Sequence, residues 1–261
     1  MEDRSRRSFL KIGGACALGL SALPAINVSA ADVQSVFSPA PNALTGKKWA
    51  MVIDMKKCWE KGKEGCKDCS QACNHVHNVP DIGNPKDEIK WIWTEHFANA
   101  FPGQESEYTP EEIASKDFVI LCNHCANPPC TRVCPTQATW KRKEDGVVMM
   151  DPHRCIGCRY CMAACPFGSR SFNFRDPKPF VKDPNPKYPA RMRGVVEKCT
   201  FCEERLAKGQ IPACVEACKA KALVFGDLDD PKSEVRKLLH SNYTIRRKPE
   251  LGTEPNVYYI I

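Results

Sequence analysis

Short apolar runs mark the predicted secondary structure of this 261-residue chain. Trp49–Met55 and Phe118–Leu121 predict strands that lead into cysteines, and Gly146–Met150 predicts a third strand after a turn. Met162–Cys165 and Val215–Cys218 predict short helices. Each run borders a set of cysteines, so the predicted elements serve mainly to place cysteine side chains.

The segments between these runs have a different pattern. Residues 81–116 are predicted to be an insertion, in which Ile89–Trp93 favours a strand that buries one tryptophan face over a partner-docking role. Residues 176–190 hold five prolines and predict an extended surface loop, because proline lacks the N–H that helices and sheets use. Residues 229–261 predict a helix from Asp230 to His240 and then an irregular tail.

Residues 1–30 predict an export signal. Arg6 and Arg7 precede a hydrophobic stretch, Ile12–Ile26, and small residues around Ala30 offer a cleavage site. The stretch is too short and too rich in glycine and alanine to predict a membrane span. The pattern resembles a Tat signal, which exports folded proteins, and the alternative is a chance Arg-Arg pair. We therefore expect a periplasmic protein at the outer face of the cytoplasmic membrane.

Sixteen of the 17 cysteines fall into four tetrads, and the remaining Cys16 lies in the predicted signal. The tetrads are Cys58, Cys66, Cys69, Cys73; Cys122, Cys125, Cys130, Cys134; Cys155, Cys158, Cys161, Cys165; and Cys199, Cys202, Cys214, Cys218. The third tetrad has the C-x2-C-x2-C-x3-C-P spacing of bacterial ferredoxins, and the second also ends in Cys-Pro. All sixteen cysteines are therefore predicted iron ligands, enough for four [4Fe–4S] clusters.

Zinc and disulfides are the alternative uses of these cysteines. Zinc takes two C-x2-C pairs and has no use for the ferredoxin spacing. Exported cysteines usually form disulfides, but a signal for folded export favours clusters that are assembled before export. A zinc- or disulfide-stapled binding protein without redox activity is the remote alternative.

The formal charge of +7 does not indicate nucleic-acid binding. Removal of residues 1–30 leaves about +5, and four oxidised clusters with their thiolates contribute about −2 each, so the loaded protein carries about −3. Basic residues next to the tetrads either offset cluster charge or are ordinary solvated side chains. They are Lys56, Lys57, Lys67, Arg132, Arg154, Arg159 and Lys198.

The spacing of the tetrads predicts an α+β fold of two nested, bacterial-ferredoxin-like halves, related by pseudo-twofold symmetry and carrying long loop insertions. The second and third tetrads form an inner half, residues 117–175. The first and fourth form an outer half, residues 47–80 and 191–228. The connection between the outer tetrads is about six times longer, which costs only about 1.6 kcal/mol of extra loop-closure entropy.

Ligation is expected to cross over within each half, because the cysteine before the proline in ferredoxins ligates the neighbouring cluster. The expected ligand sets are Cys58, Cys66, Cys69 with Cys218; Cys199, Cys202, Cys214 with Cys73; Cys122, Cys125, Cys130 with Cys165; and Cys155, Cys158, Cys161 with Cys134.

Histidines accompany two of the tetrads. His124 lies between two predicted ligands and is expected to donate to cluster sulfur, which would tune the potential. His75 and His77 follow Cys73, and histidine ligation is the alternative role for all three. No C-x2-C-H haem motif, phosphate-binding glycine loop or nucleophile–base set occurs. We therefore expect no catalytic residues and no substrate site of its own.

Three motifs resemble a known family: Cys122–Cys130, Cys155–Phe172 and Lys198–Cys202. They are similar to the four-cluster subunits of the molybdopterin-oxidoreductase superfamily, which include polysulfide reductase B-type and NrfC-type proteins. The resemblance implies the nested ferredoxin fold and an electron-transfer role. Seven residues between Cys58 and Cys66, and Lys219 in place of proline, depart from the pattern, so a [3Fe–4S] cluster is the alternative for an outer site.

Finer features resemble the DsrO subunits of the Dsr membrane complex of dissimilatory sulfur metabolism. They are the signal itself, the insertion around Trp91–Phe97, Arg193–Cys199 and the tail Gly252–Tyr259. This resemblance implies an NrfD-like, quinone-interacting membrane subunit and a multihaem cytochrome c as partners. The alternative is the electron-transfer subunit of a periplasmic molybdopterin reductase, of polysulfide or thiosulfate type, or of a nitrite-reduction complex.

Overall fold

The computed structural model describes residues 39–62 and 65–261. The predicted export signal in residues 1–30 therefore lies outside the described residues. Residues 40–261 form one compact unit. Within the described ranges, no helix combines the length and the apolar composition needed to cross a membrane.

Short elements dominate this unit. The strands are β1 (Trp49–Asp54), β2 (Ile92–His96), β3 (Asp117–Leu121), β4 (Thr139–Lys141), β5 (Val148–Met150), β6 (Ser171–Phe172), β7 (Val196–Glu197), β8 (Leu223–Asp227), β9 (Thr244–Ile245) and β10 (Val257–Ile260). The helices are α1 (Met55–Gly62), α2 (Asp68–Val76), α3 (Phe97–Ala100), α4 (Glu111–Ala114), α5 (Pro129–Arg132), α6 (Tyr160–Ala164), α7 (Glu203–Leu206), α8 (Ala213–Glu216) and α9 (Glu234–Ser241). Single 3-10 turns lie at Lys178–Phe180 and Pro249–Leu251.

Strand β1 lies inside the four-stranded sheet, whose order is β8-β1-β10-β9. It runs antiparallel to β8 and parallel to β10. Residues Ala50 to Ile53 are fully buried, because both faces of the strand are covered, which favours a continuous apolar sequence. The predicted strand is confirmed, except that Met55 already begins α1.

The prediction of an irregular C-terminal tail is wrong. Strand β10 pairs with β1, with Met51 opposite Val257, and β9 pairs with β10. Tyr259 is fully buried, and its hydroxyl donates to the carbonyl of Val119 at 3.1 Å. The predicted helix is confirmed as α9, where the Ser233 side chain caps the first turn. The C-terminal segment therefore supplies part of the core.

The two faces of the large sheet bury different partners. Met51 and Tyr259 face the main core, while Val52 on the other face contacts a smaller cluster with Val235 of α9. This division follows from the alternation of side chains along a strand. Helix α9 thus covers the face opposite the cysteine-bearing elements.

The predicted insertion is joined to the core by a two-stranded ladder. Strand β2 pairs antiparallel with β3, with Ile92 opposite Leu121. Trp91, just before β2, is buried, whereas Trp93 is only half-buried. The run predicted as a strand therefore begins at Ile92, and one tryptophan face is buried as expected. Strand β3 confirms the prediction at Phe118–Leu121.

The cysteine-bearing helices pack in two pairs. Helices α2 and α8 contact each other beside the β1–β8 ladder. Helices α5 and α6 contact each other beside the β4–β5 ladder. The two predicted short helices are confirmed as α6 and α8, and the predicted third strand as β5. The pairing of helices is that of two similar units, and the pseudo-twofold relation between them stays a prediction.

The proline-rich segment 176–190 has one 3-10 turn and no strand. It is attached to the residues that follow α2, because the Asn78 amide donates to the carbonyl of Asn185 at 2.9 Å and its side-chain oxygen accepts the Asn185 N–H at 2.7 Å. The loop therefore covers the α2 end of the molecule.

Candidate functional site

The structure gathers the sixteen predicted ligands into four groups, here numbered along the molecule. Group 1 is Cys58, Cys66, Cys69 and Cys218; group 2 is Cys73, Cys199, Cys202 and Cys214; group 3 is Cys122, Cys125, Cys130 and Cys165; group 4 is Cys134, Cys155, Cys158 and Cys161. Each group joins three cysteines of one tetrad with one cysteine of another, which is the arrangement that the crossover predicts. Iron ligation by these groups stays a prediction.

Groups 3 and 4 each line a cavity of similar size, of about 320 Å³ and about 290 Å³. Cys122 directly follows β3, which fixes one edge of group 3. Helix α5 carries Cys130 and helix α6 carries Cys161. The packing of α5 against α6 therefore brings sulfurs from separate segments around each cavity.

Groups 1 and 2 are built in the same way by other elements. Helix α1 carries Cys58, α2 carries Cys69 and Cys73, and α8 carries Cys214. Group 1 lines a wide cavity that opens toward the surface. Group 2 is enclosed, because all four of its cysteines are buried.

Four short helical turns each serve two groups. Each turn carries one cysteine at position i and another at i+4, and so places two sulfurs about one turn apart on one side. The four pairs are Cys69 and Cys73, Cys130 and Cys134, Cys161 and Cys165, and Cys214 and Cys218. The first and last pairs connect group 1 to group 2, and the other two connect group 3 to group 4.

Electrostatic coupling between thiols establishes the order of the groups. Burial, then group 2 thiolates and then Cys69 of group 1, raise the pKa of Cys73 well above its ordinary value. Burial and next the thiolate of Cys122 raise the pKa of Cys199 to about 12, which makes groups 2 and 3 neighbours. Burial raises the pKa of Cys161, with Cys130 among the contributing thiolates. The groups therefore form a row in the order 1, 2, 3, 4.

The two ends of the row reach the surface. Cys66 of group 1 and Cys158 of group 4 are exposed. Around group 4, Ile156 and Tyr160 are also exposed, at 65% and 62%. A partner can therefore approach the row at either end, while the centre is shielded.

The donor set fits iron–sulfur clusters. All sixteen cysteines of the described residues are free thiols, although each lies close to others, so the structure does not use them as disulfides. Four sulfur donors per group suit iron–sulfur clusters or zinc. The ferredoxin spacing, and helices that each serve two groups, favour clusters over separate zinc sites.

Backbone N–H groups point at several of these sulfurs. The N–H of Phe201 donates to Cys199 Sγ at 3.4 Å, and that of Ala222 donates to Cys218 Sγ at 3.3 Å. Phe201 has a φ of 56°, in the left-handed region. Hydrogen bonds to sulfur raise the potential of an iron–sulfur cluster, since they stabilise its reduced form.

His124 is buried and stacks on Phe201, with ring centroids 3.7 Å apart. Its Nδ1 accepts the N–H of Val148 at 3.1 Å, which leaves the proton on Nε2. Burial, followed by the charges of Lys198 and Arg170, holds its pKa well below the usual range, so the ring is neutral. Donation from Nε2 to a cluster sulfur stays a prediction.

His77 lies against group 2 without replacing a cysteine. Its Nδ1 lies 3.6 Å from Cys73 Sγ, and its Nε2 contacts a Glu204 carboxylate oxygen at 2.9 Å. The ligand atoms of His77, Cys202 and Glu204 lie within 4.8 Å of one another. With four cysteines already present, His77 is positioned beside the sulfur set.

Two buried polar features were missed from the sequence. Arg170 is 4% exposed and donates to Cys130 Sγ at 3.0 Å. Glu197 is 3% exposed and accepts from Arg191 Nε at 2.8 Å and from Trp91 Nε1 at 2.8 Å. An arginine or glutamate in a loop resembles a solvated side chain, and only its position five residues after Cys165 marks Arg170.

Lys198 combines burial with charge, as expected for a residue that offsets cluster charge. It is 1% exposed, and its Nζ donates to the carbonyl of Val148 and, at 2.7 Å, to that of Cys199. Burial lowers its pKa, while the thiolates of Cys122 and Cys199 oppose that shift. Its ammonium therefore lies between groups 2 and 3.

Fold and site together define the class of the protein, a ferredoxin-type iron–sulfur protein. The family described as 4Fe-4S dicluster domain matches residues 115–178 and 185–228. These matches include groups 3 and 4 entirely and the three group 2 cysteines that follow residue 185.

Known proteins narrow this class. The chain is 42% identical to the Hdr-like menaquinol oxidoreductase iron-sulfur subunit 1 of Archaeoglobus fulgidus, over 98% of this chain and 97% of that one. It is 34% identical to a tetrathionate reductase subunit of Salmonella typhimurium, over 99% and 88%, and 34% identical to the protein NrfC of Escherichia coli, over 98% and 95%. The chain belongs to the family of iron–sulfur subunits found in NrfC-type and molybdopterin-reductase complexes.

Proposed function

We propose that this protein is the periplasmic electron-transfer subunit of a membrane-bound oxidoreductase complex, with groups 1 to 4 as the sites of four [4Fe–4S] clusters. When bound, each cluster supplies a one-electron redox centre. The chain holds these centres in a row, shields the two central ones from water and exposes the two end ones. The observation that carries the proposal is the row of four thiol groups joined by shared helical turns.

Membrane association would be peripheral and through partners. The partners we propose are an NrfD-like, quinone-interacting integral membrane subunit and a multihaem cytochrome c, in a Dsr-type complex of sulfur metabolism. The support is the 42% identity to a relative named as a menaquinol oxidoreductase subunit. Exposed Ile156 and Tyr160 offer an apolar contact next to group 4.

A second candidate is the electron-transfer subunit of a periplasmic molybdopterin reductase or of a nitrite-reduction complex. The identities to the tetrathionate reductase subunit and to NrfC favour it. The two candidates differ in the partner at one end of the row, and they share the proposed clusters.

Iron and acid-labile sulfide analysis of the purified protein tests the clusters. Four [4Fe–4S] clusters require about 16 iron atoms per chain and as many sulfides. Zinc in place of iron, or disulfides with no iron, would instead support a non-redox binding protein. About 15 iron atoms would point to one [3Fe–4S] site.

Gentle solubilisation of native membranes, purification of this chain and mass spectrometry of what accompanies it test the partners. A multispanning subunit together with a multihaem cytochrome c supports the Dsr-type complex. A large molybdopterin-binding subunit would support the second candidate instead.

The export route has its own test. Replacement of Arg6 and Arg7 by lysine is expected to stop the accumulation of holoprotein in the periplasm. Continued periplasmic accumulation of the iron-loaded double variant would contradict export by the Tat route.

A further inference from the structure

Arg170 occupies a buried position between two thiol groups. Its guanidinium donates to Cys130 Sγ of group 3 at 3.0 Å and to Thr139 Oγ1 at 2.7 Å. Its other nitrogen contact is Met150 Sδ at 3.8 Å. Thr139 in turn donates to the carbonyl of Met149 at 2.7 Å, so the hydroxyl that orients the guanidinium is itself fixed.

The charge of Arg170 has no carboxylate partner among residues 39–62 and 65–261. Its electrostatic neighbours are the thiols Cys130, Cys161 and Cys122, which belong to groups 3 and 4. An unpaired charge in the interior is costly. Arginine stays charged in proteins, so the position favours an anionic group at the neighbouring sulfurs.

The other half of the molecule lacks this cation. Arg170 lies five residues after Cys165, and Leu223 lies five residues after Cys218. The local backbone matches, because the residue at the fourth position donates its N–H to the cysteine sulfur in both places. Leu223 is 3% exposed. The same turn thus presents a buried cation beside groups 3 and 4 and a buried apolar side chain beside groups 1 and 2.

The surroundings of groups 1 and 2 carry charge of the opposite sign. Burial, then neighbouring thiolates and then Asp54, raise the pKa of Cys58 to about 11. Glu204 contributes in the same direction at Cys199 and Cys202. A carboxylate disfavours addition of an electron at a nearby centre, and a guanidinium favours it, because a reduced cluster is more negative.

We propose that Arg170, oriented by Thr139, is a positioning residue that acts through Cys130 to raise the reduction potential of group 3 and, by less, that of group 4. Electrons therefore collect in the inner half of the row. This inference rests on the proposed function, since it requires clusters at these groups. The effect is largest at group 3 because only that group receives a direct hydrogen bond from the guanidinium.

The test compares Arg170→Gln with Arg170→Lys and with a matched control, Arg175→Gln. Arg175 is a nearby arginine on the surface that pairs with Asp87 and has no sulfur contact. Each variant is purified as loaded full-length protein, its iron is measured, and its midpoint potentials are determined by titration monitored by electron paramagnetic resonance. A Cys125→Ser variant assigns the group 3 signal.

Arg170→Gln is expected to lower the equilibrium constant for reduction of group 3 at least tenfold, which is about 59 mV for one electron. Group 4 should shift less, and groups 1 and 2 should not shift. Arg170→Lys should fall between the two, because an ammonium keeps the charge but cannot reproduce the planar fork. Arg175→Gln should match the unsubstituted protein.

Unchanged potentials in iron-replete Arg170→Gln, or equal shifts at all four groups, would overturn the inference while leaving the proposed function intact. If Arg170→Gln loses iron, Thr139→Val decides. A lower group 3 potential in Thr139→Val supports the inference, and an unchanged one overturns it. An unsubstituted protein without four titrating centres would overturn the proposed function, and this inference with it.

Discussion

The central and the end thiol groups meet solvent differently. All four cysteines of group 2 are buried, and group 3 has two buried and two half-buried cysteines, whereas groups 1 and 4 each contain an exposed cysteine. Thus the same sulfur donor set occurs in a shielded and in an accessible form within one chain. The contrast indicates a division of work in which the centre protects reactive sulfur and the ends allow contact with partners.

Loss of one ligand should be most damaging at the centre. Cys199→Ser leaves a buried hydroxyl in place of a sulfur in group 2, whereas Cys66→Ser alters an exposed position in group 1. We expect Cys199→Ser to reduce the yield of loaded protein several-fold, because an unsatisfied buried polar group costs about 1–3 kcal/mol. Cys66→Ser should keep its yield and lose at most the iron of group 1. Equal yields, measured with iron content, would contradict the contrast.

The support behind group 2 should be the next most sensitive feature. Glu197→Gln breaks a buried ion pair with Arg191 and precedes Lys198 and Cys199 in the chain. Loss of one partner of a buried pair costs about 3–5 kcal/mol, so the thermal midpoint of the loaded protein should fall clearly. Lys182→Ala, which removes an exposed pair with Asp81, is the matched control. A similar midpoint in both variants would contradict the importance of burial.

The crossover of ligands can be tested within the inner half. Cys134→Ser should remove the resonance signal of group 4 and leave that of group 3, although Cys134 belongs to the tetrad that supplies group 3. Cys165→Ser is the reciprocal variant and should affect group 3. Loss of the group 3 signal alone in Cys134→Ser would refute the crossover.

Thiol reactivity after oxidative removal of iron should show the smallest difference, in rate alone. Burial raises the pKa of Cys199 to about 12. At Cys134 burial acts in the same direction, but hydrogen bonds from Thr139, Thr136 and Ala138 outweigh it and lower the pKa. Because the thiolate is the reactive form, Cys134 should be alkylated first at neutral pH.

The pH dependence of alkylation follows from the same shifts. A thiol below its pKa gains thiolate about tenfold per pH unit. The rate at Cys199 should therefore keep rising up to about pH 12, whereas the rate at Cys134 should level off below pH 9. Peptide mass spectrometry of the alkylated protein measures both rates, and parallel profiles at the two cysteines would contradict the assignment.

Sequence patterns predicted the elements next to the cysteines well. The run before Cys58 is continuously apolar because β1 is covered on both faces, and Phe118–Leu121 precedes Cys122 in the same way. The grouping of sulfurs followed from the ferredoxin spacing alone. Such local patterns suffice where a short turn and its cysteines lie together in the chain.

The features that sequence reasoning missed depend on distant pairing. Val257–Ile260 is a run of four residues whose partner, β1, lies about 200 residues earlier, so its own pattern does not indicate a strand. Arg170 and Glu197 are polar, and their burial depends on the cavities formed by other segments. Their functional setting becomes visible only when those segments have been brought together.

The parallel pairing of β1 with β10 also has a consequence for the timing of biosynthesis. Because the chain is made from its N-terminal end, β1 is synthesised long before the strand that completes its sheet. Cys58 follows β1, and Cys218 precedes β8, so the outer sulfur sets cannot reach their final arrangement on a partly made chain. Cluster insertion into the outer half is therefore a late event, and a ribosome that stalls before residue 257 would release a product that quality control can recognise as unfinished.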